Sequence, residues 1–595
     1  MNPRTVYTVL EEAALAFGDK PALQQPIGDG KYETYSWSKY RDAVREIAVG
    51  LESIGIEKGE IVALQSETRA EFYLADIGLI ARGAIAAALY TSLPLEDQVK
   101  TLRGCDAKVA FAENPKTMAA LSSAAGDQPL TVRWILLTGE ASGVLSLEQV
   151  RQKGREQLAR EPNAFDRIRS EVTELDHAIL YMTSGATGEP KMGLVTQRAL
   201  VANMDHGPAV LPLSPNDCTI AFLPSAHIAQ RIVCELLPIR EGACVYFSEG
   251  LSKMPSELRT VRPTFFLAPP RVWERIYATV STEIRKRPAM TRRLFYTAIG
   301  LGSEAARRVQ TGRPIPGWMK ASLKTFDALV YSKIRERLGG RLRVAASGAA
   351  PLGKELAEFY AAIGMPLVEG YGLTECGVVS LNPLNRPKPG SIGKPLPGVE
   401  ARIADDGELM LRSPCMFSGY YKDSAATAAV LRDGWLATGD IAEFDSDRYL
   451  YITGRKKELI VSSSGKKIYP ARIEGLFKRE PLINQVLLIG DKMPYVTALI
   501  TINAAHAETI KGVDGKRSAA DLAKADAVLE EVNRAVKQVN KQLASFEQIR
   551  RWKVLEKEFS IESGELTPTM KVRRNRVLEN YRGVVSDLYL GKDAD

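Results

Sequence analysis

Ala178-Ile-Leu-Tyr-Met-Thr-Ser-Gly-Ala-Thr-Gly-Glu-Pro-Lys191 starts as an apolar run and ends in glycines, hydroxyls and a lysine. A short apolar run bounded by a Gly/Pro loop reads as a buried strand that delivers the loop at its end. Gly185 and Gly188 allow backbone N–H groups to point inward, and Ser184, Thr187 and Lys191 offer contacts to anionic oxygens. Hydrogen bonds to charged groups contribute roughly 1.5–3 kcal/mol each, so several would hold a triphosphate. A Walker loop is excluded, because Pro190 stands where that motif, counted from Gly185, needs glycine.

Outward from this segment, short apolar runs alternate with helical patterns between about residues 62 and 367, at 61–64, 178–182, 219–223, 264–267 and 342–346. This rhythm predicts a mostly parallel α/β sheet domain covered by helices, with ligands gathering at the carboxyl ends of its strands. Around Gly407-Glu-Leu-Met-Leu-Arg-Ser and Tyr449-Leu-Tyr-Ile-Thr, short strands and Asp/Gly turns predict a small β-rich subdomain. A lysine-rich turn follows Gly454, then a small α/β region with a long polar helix near 519–544. The expected division is an N-terminal domain over 1–455 and a mobile C-terminal domain over 456–595.

At 595 residues with 45% hydrophobic composition, the chain can bury a large core and should form more than one domain. A net charge of +8 within 25% charged residues gives no case for nucleic-acid binding. Charge is concentrated locally: residues 285–343 hold fifteen Lys or Arg against three acidic residues. That stretch fits a solvated helical face, an anionic membrane surface or a site for the CoA phosphates. Six scattered cysteines without a CxxC pair suggest neither zinc nor a disulfide framework and fit a reducing cytosol. The most apolar helix-like run, 74–89, contains Asp76 and Arg82 and is too short to span a bilayer. A cytoplasmic protein, at most peripheral to the inner membrane surface, is expected; oligomeric state is not legible.

Four further segments carry chemistry. Arg343-Val-Ala-Ala-Ser-Gly-Ala-Ala350 reads as a strand ending in a small-residue turn that a planar base can approach closely. In Glu369-Gly-Tyr-Gly-Leu-Thr-Glu375, the last glutamate suits a hard divalent cation. Asp440, in Thr438-Gly-Asp440, offers two acceptor oxygens to vicinal hydroxyls, with Arg455 near in sequence, although Thr-Gly-Asp alone is a common turn. Lys571, in Thr567-Pro-Thr-Met-Lys571, is a cation more than a hundred residues beyond Lys457.

Together, in this order, these segments resemble the adenylate-forming superfamily of acyl-CoA synthetases, adenylation domains and luciferases. The resemblance extends from about residue 7 to 590. It implies ATP, Mg²⁺ and coenzyme A as cofactor and co-substrates. It assigns the phosphates to Ser184, Gly185, Thr187, Gly188 and Lys191, the base to Ser347, Gly348, Ala349 and Tyr371 within Glu369-Gly370-Tyr371-Gly372, the α-phosphate to Thr374, Mg²⁺ to Glu375, and the ribose to Asp440 with Arg455. Lys571 is the cation for adenylation and Lys457 the hinge. Gly465 borders the thiol channel, though a plain surface turn fits it too. His227 lies beside the acyl carboxylate, though a packed histidine orienting a loop is an open alternative. The sequence departs from the family pattern at Ala186, where threonine or serine is usual, at Met192-Gly193, and at Gln197, a frequent histidine position. The first departure implies one hydroxyl contact fewer.

Leu223-Pro-Ser-Ala-His-Ile-Ala-Gln-Arg231 and Ala268-Pro-Pro-Arg-Val-Trp-Glu-Arg-Ile276 resemble the long-chain fatty acyl-CoA synthetase branch, including its bubblegum-like members. Three readings stand at this point. The chain activates a fatty acid and passes it to CoA; it activates an aromatic or terpenoid acid, or serves a carrier protein; or it is a pseudoenzyme that binds acyl groups or nucleotides.

Overall fold

The computed structural model describes residues 4–183, 191–513, 518–567 and 570–590. The apolar runs fold as strands: Ile61–Gln65, His177–Thr183, Cys218–Ala221, Phe265–Ala268 and Val344–Ser347. They belong to three sheets of eight, five and four strands. Parallel pairing dominates the interior of each sheet, and antiparallel strands close the edges: Lys191–Thr196 beside His177–Thr183, Gly377–Leu381 beside Leu367–Leu373, and Tyr32–Ser36 beside Pro21–Pro26. The central strands are buried on both faces, which is why they read as continuous apolar runs rather than alternating ones.

Two sequence expectations need correction. The run 74–89 is not one helix: Ala70–Arg82 is helical, Gly83 turns the chain at φ +83°, and Ile85–Ala88 is a strand. Asp76 and Arg82 are nevertheless buried there. The long helix near 519–544 is two helices, Ala519–Leu522 and Asp526–Asn540, the first capped by Ser518 through a reciprocal pair with Asp521. Periodicity carries across such a break, because the apolar residues on each side face one core.

The β-rich part is a sheet of Glu400–Ile403, Glu408–Arg412, Trp435–Phe444 and Leu431–Arg432, with Leu450–Arg455 added on Trp435–Phe444. It ends at the short turn Lys456–Glu458. Beyond that turn, Ile483–Ile489, Val496–Ile502 and Ile549–Val554 make a three-stranded sheet packed by Asp526–Asn540. Each fully buried Val, Leu or Ile stabilises its core by about 1.5–3 kcal/mol. None of the four apolar clusters among the described residues draws members from both sides of residue 455. No helix among the described residues is long and apolar enough to cross a membrane.

Candidate active site

A cleft of about 2040 Å³ runs between the residues before 455 and those after it. A single small-molecule pocket is typically about 300–1,000 Å³, so the cleft has room for more than one ligand.

One wall is built by the strand Leu367–Leu373, which carries most of Glu369-Gly-Tyr-Gly-Leu-Thr-Glu within the strand rather than in a loop after it. A bulge between Tyr371 and Gly372 re-aims the segment. Gly372 is obligatory there, since a Cβ would lie 2.6 Å from the Gly377 carbonyl oxygen. The Tyr371 hydroxyl donates to Asp440 Oδ2 at 2.6 Å, and Arg455 Nε lies 3.1 Å from Asp440 Oδ1. The antiparallel register that pairs Asp440 with Arg455 explains that contact. Asp440 is buried and its backbone is fixed by the Thr438 hydroxyl, which accepts from the Asp440 N–H at 3.1 Å.

Ser347, Gly348 and Ala349 follow the strand Val344–Ser347 and line the same wall. Ala349 adopts φ +70°, a left-handed turn. Glu369 is buried, and its Oε1 accepts from the Leu352 N–H at 2.9 Å, which ties this loop to the neighbouring strand. Burial raises its pKa to about 7, against the Leu352 hydrogen bond that lowers it. The buried Ser347 hydroxyl has no hydrogen-bond partner among the described residues.

Thr374 and Glu375 sit in the turn that follows the strand. Tyr420 donates to Glu375 Oε1 at 2.6 Å, and the Phe417 N–H donates to the Glu375 carbonyl at 2.9 Å. The Lys191 ammonium lies 4.8 Å from the Tyr420 ring centroid, so the lysine that ends the glycine-rich loop and the acidic turn share one aromatic side chain. Tyr420 carried no recognisable signal in the sequence beyond a Gly-Tyr-Tyr turn. Ser184, Gly185, Thr187 and Gly188 lie outside the described residues. Glu375 lines the cleft, and its carboxylate fits a hard cation shared with phosphate oxygens.

His227 lines the cleft, and its Nδ1 accepts from the Ala229 N–H at 3.1 Å. Burial, aided by the Lys571 cation, lowers its pKa to about 3. A neutral ring whose Nδ1 accepts presents Nε2–H as a donor. Lys571 reaches the cleft from the C-terminal side. Its N–H donates to Thr567 Oγ1 at 3.0 Å, and Met570 before it turns at φ +64°. Arg574 anchors the segment through Glu474 at 2.7 Å and the Leu488 carbonyl at 3.0 Å. Burial and then Arg455 lower the Lys571 pKa to about 8, opposed by Asp440 and Glu375.

Lys457 is exposed at the cleft margin in the turn Lys456–Glu458. Gly465 is in the turn between Ile460–Val461 and Lys467–Ile468, at φ +77°, and is not among the residues lining the cleft. An apolar arm extends from His227 between the helix Gln197–Val210 and the wide turn Gln230–Leu236, past Gly207, Val210, Ile232 and Val233. Pro208 inside the first helix and the irregular second one hid this pairing from periodicity.

Polar contacts hold the two sides together. Arg271 donates to the Asn484 carbonyl and Oδ1 at 2.5 and 2.7 Å, Lys478 pairs with Glu274 at 3.2 Å and donates to the Pro351 carbonyl. His506, buried, contacts Thr282 Oγ1 at 2.9 Å and Arg285 Nη1 at 3.1 Å, and burial with the Arg285 charge lowers its pKa to about 4. Behind this apolar lining, Arg231 and Asp76 form a fully buried ion pair beside Glu235, whose pKa burial and then Asp76 push well up. None of these contacts was legible in the sequence, although Asp76 stands out there as an interruption of an apolar run and Arg231, Arg271 and Glu274 fall in quoted segments.

Residues 10–421 match the AMP-binding enzyme family and residues 457–593 the AMP-binding enzyme C-terminal domain. The chain belongs to the AMP-binding enzyme family. It is 34% identical over 573 residues to the long-chain-fatty-acid–CoA ligase FadD15 of Mycobacterium bovis, covering 95% of this chain and 94% of that one. It is 28% identical over 632 residues to the long-chain-fatty-acid–CoA ligase ACSBG2 of Rattus norvegicus, covering 99% and 93%. The fold is that of an anthranilate CoA ligase solved with anthranoyl-AMP, with a TM-score of 0.74 at 19% identity over 98% of this chain and 99% of that one. It is equally that of the adenylation domain of a carboxylate reductase from Mycobacterium chelonae, with a TM-score of 0.75 at 21% identity over 99% and 91%.

Proposed function

We propose that the protein is an acid–thiol ligase that activates a long-chain fatty acid with ATP, forming acyl-AMP and pyrophosphate, and then transfers the acyl group to CoA. The observation that carries this reading is the convergence of Tyr371, Asp440, Glu375, His227 and Lys571 on one cleft from distant parts of the chain. The apolar arm beyond His227 and the names of full-length relatives support a fatty acid.

In this reading Ser184, Gly185, Thr187, Gly188 and Lys191 hold the phosphates, Tyr371 and the 347–349 loop take the base, and Asp440 with Arg455 takes the ribose hydroxyls. The carboxylate attacks the α-phosphorus, the bond to the bridging oxygen of pyrophosphate breaks, and negative charge grows on the equatorial oxygens. Lys571 stabilises that charge more than the ground state, and Nε2–H of His227 orients the attacking carboxylate. A Mg²⁺ held by Glu375 would neutralise charge on the phosphates during departure of pyrophosphate. Thr374 contacts the α-phosphate.

We assign the domains to 1–455 and 456–595, with Lys457 as the hinge. Rotation there withdraws Lys571 and admits the thiol of CoA, with Gly465 moving to the channel. Pyrophosphate–ATP exchange and AMP release, measured across fatty, aromatic and terpenoid acids with CoA or a pantetheinylated carrier as acceptor, test the reading. Long-chain acids with CoA should give the highest rates; no exchange with any acid sinks it.

A further inference from the structure

The helices Ala289–Gln310 and Gly317–Phe326, joined by a six-residue turn, form a surface hairpin with an unusual outer face. Of the fifteen large apolar side chains exposed among the described residues, five are here, Met290, Leu294, Tyr296, Val309 and Trp318, and a sixth, Leu329, is in the turn Asp327–Tyr331 that follows. Single exposed apolar residues are ordinary; a concentration within forty residues is the mark of an interaction surface. The most exposed are Met290 at 85% and Trp318 at 64%.

The same segment is cationic. Lys286, Arg287, Arg292, Arg293, Lys320 and Lys324 are exposed, and none is in an ion pair among the described residues. Of the nearby carboxylates, Glu304 is engaged by Arg307 and Arg308, Asp327 by Arg335 and Glu283 by Arg337. Burial explains the inward side, where Phe295, Ala298, Gly302 and Met319 pack. No apolar cluster among the described residues includes the outward side chains.

We infer that this hairpin docks the protein on an anionic lipid bilayer, with Trp318 and Met290 entering the headgroup region and the six cations facing lipid phosphates. Cations alone would suit any polyanion; protruding apolar side chains among them suit an interface that is charged outside and apolar beneath. The Trp at the edge of a helix end is the residue such interfaces favour. The helix Pro270–Arg285, which lines the cleft through Arg271, Tyr277 and Thr282, runs directly into the cationic segment, so docking would set the cleft beside the bilayer in which a long-chain acid dissolves. That purpose rests on the fatty-acid reading; the lipid contact itself does not.

Co-sedimentation with phosphatidylcholine vesicles, with and without phosphatidylglycerol, tests the inference. Binding should require the anionic lipid and fall as salt rises from about 0.05 to 0.5 M, as the Debye length shortens. Arg292→Glu with Arg293→Glu, and separately Met290→Ser with Trp318→Ser, should each weaken vesicle partitioning by about tenfold or more. Pyrophosphate exchange measured without vesicles should be unchanged in both, which shows that they fold. Equal binding to neutral vesicles, binding untouched by either pair, or capture by heparin without capture by anionic vesicles would overturn the inference. Loss of exchange activity with every acid, alongside intact vesicle binding, would fail the enzymatic reading and leave this one standing.

Discussion

Lys571 is poised by its surroundings. Two neighbouring cationic or desolvating influences lower its pKa to about 8, while Asp440 and Glu375 pull it back up. If the ammonium stabilises the transition state, Lys571→Ala should slow adenylation about 10²- to 10³-fold in pyrophosphate exchange, by analogy with loss of one oxyanion donor. The charged form is the useful one, so it is full below about pH 8 and is lost as pH rises through that value. Adenylation kcat/KM, which reports the free enzyme, should therefore fall on the alkaline side with an apparent pKa near 8. Lys571→Arg should remove that limb whatever rate it retains. At this scale the resemblance to the adenylate-forming superfamily picks out Tyr371, Asp440, Arg455 and Lys571, and all four line one cleft. Tyr420 and His506 are not picked out, because a hydrogen bond between residues far apart in sequence leaves no local pattern.

At the level of elements, the C-terminal part meets the helix Pro270–Arg285 through Asn484, Lys478 and His506. Arg285 donates to His506 Nε2, so Nδ1 carries the proton and donates to Thr282, an arrangement open only to the neutral ring. His506→Ala should loosen the docked arrangement that presents Lys571, reducing adenylation several-fold while sparing thioester formation from supplied acyl-AMP; equal loss in both half-reactions would refute the latch. With the hinge proposed at Lys457, Lys457→Pro is expected to do the reverse, sparing adenylation and crippling thioester formation, because it would stiffen that turn. The strands that carry the site were legible as apolar runs, since parallel strands buried on both faces leave little else in their sequence. Helix limits were less so: Gly83 and residues 523–525 interrupt patterns whose apolar period runs on unbroken.

For the molecule as a whole, the buried Arg231–Asp76 pair fastens the turn Gln230–Leu236 to the helix Ala70–Arg82. Arg231→Met should destabilise the chain by about 3–5 kcal/mol, read as a lower urea midpoint, because Asp76, whose pKa burial already raises, loses its countercharge in the core. Asp76→Asn in the same background should recover part of that loss; no recovery would show that packing, not charge, is what Arg231 supplies. Such a pair is invisible in sequence, where Asp76 and Arg231 look like interruptions of apolar stretches.

Among the described residues no apolar cluster is shared across residue 455, and that has a mechanical result for the proposed swing. Separating the two halves would divide none of those clusters and would trade mainly a handful of polar contacts for water, each hydrogen bond worth only about 0.5–1.5 kcal/mol net. Such a swing would be shallow in energy and repeatable every turnover, with neither half needing to loosen internally.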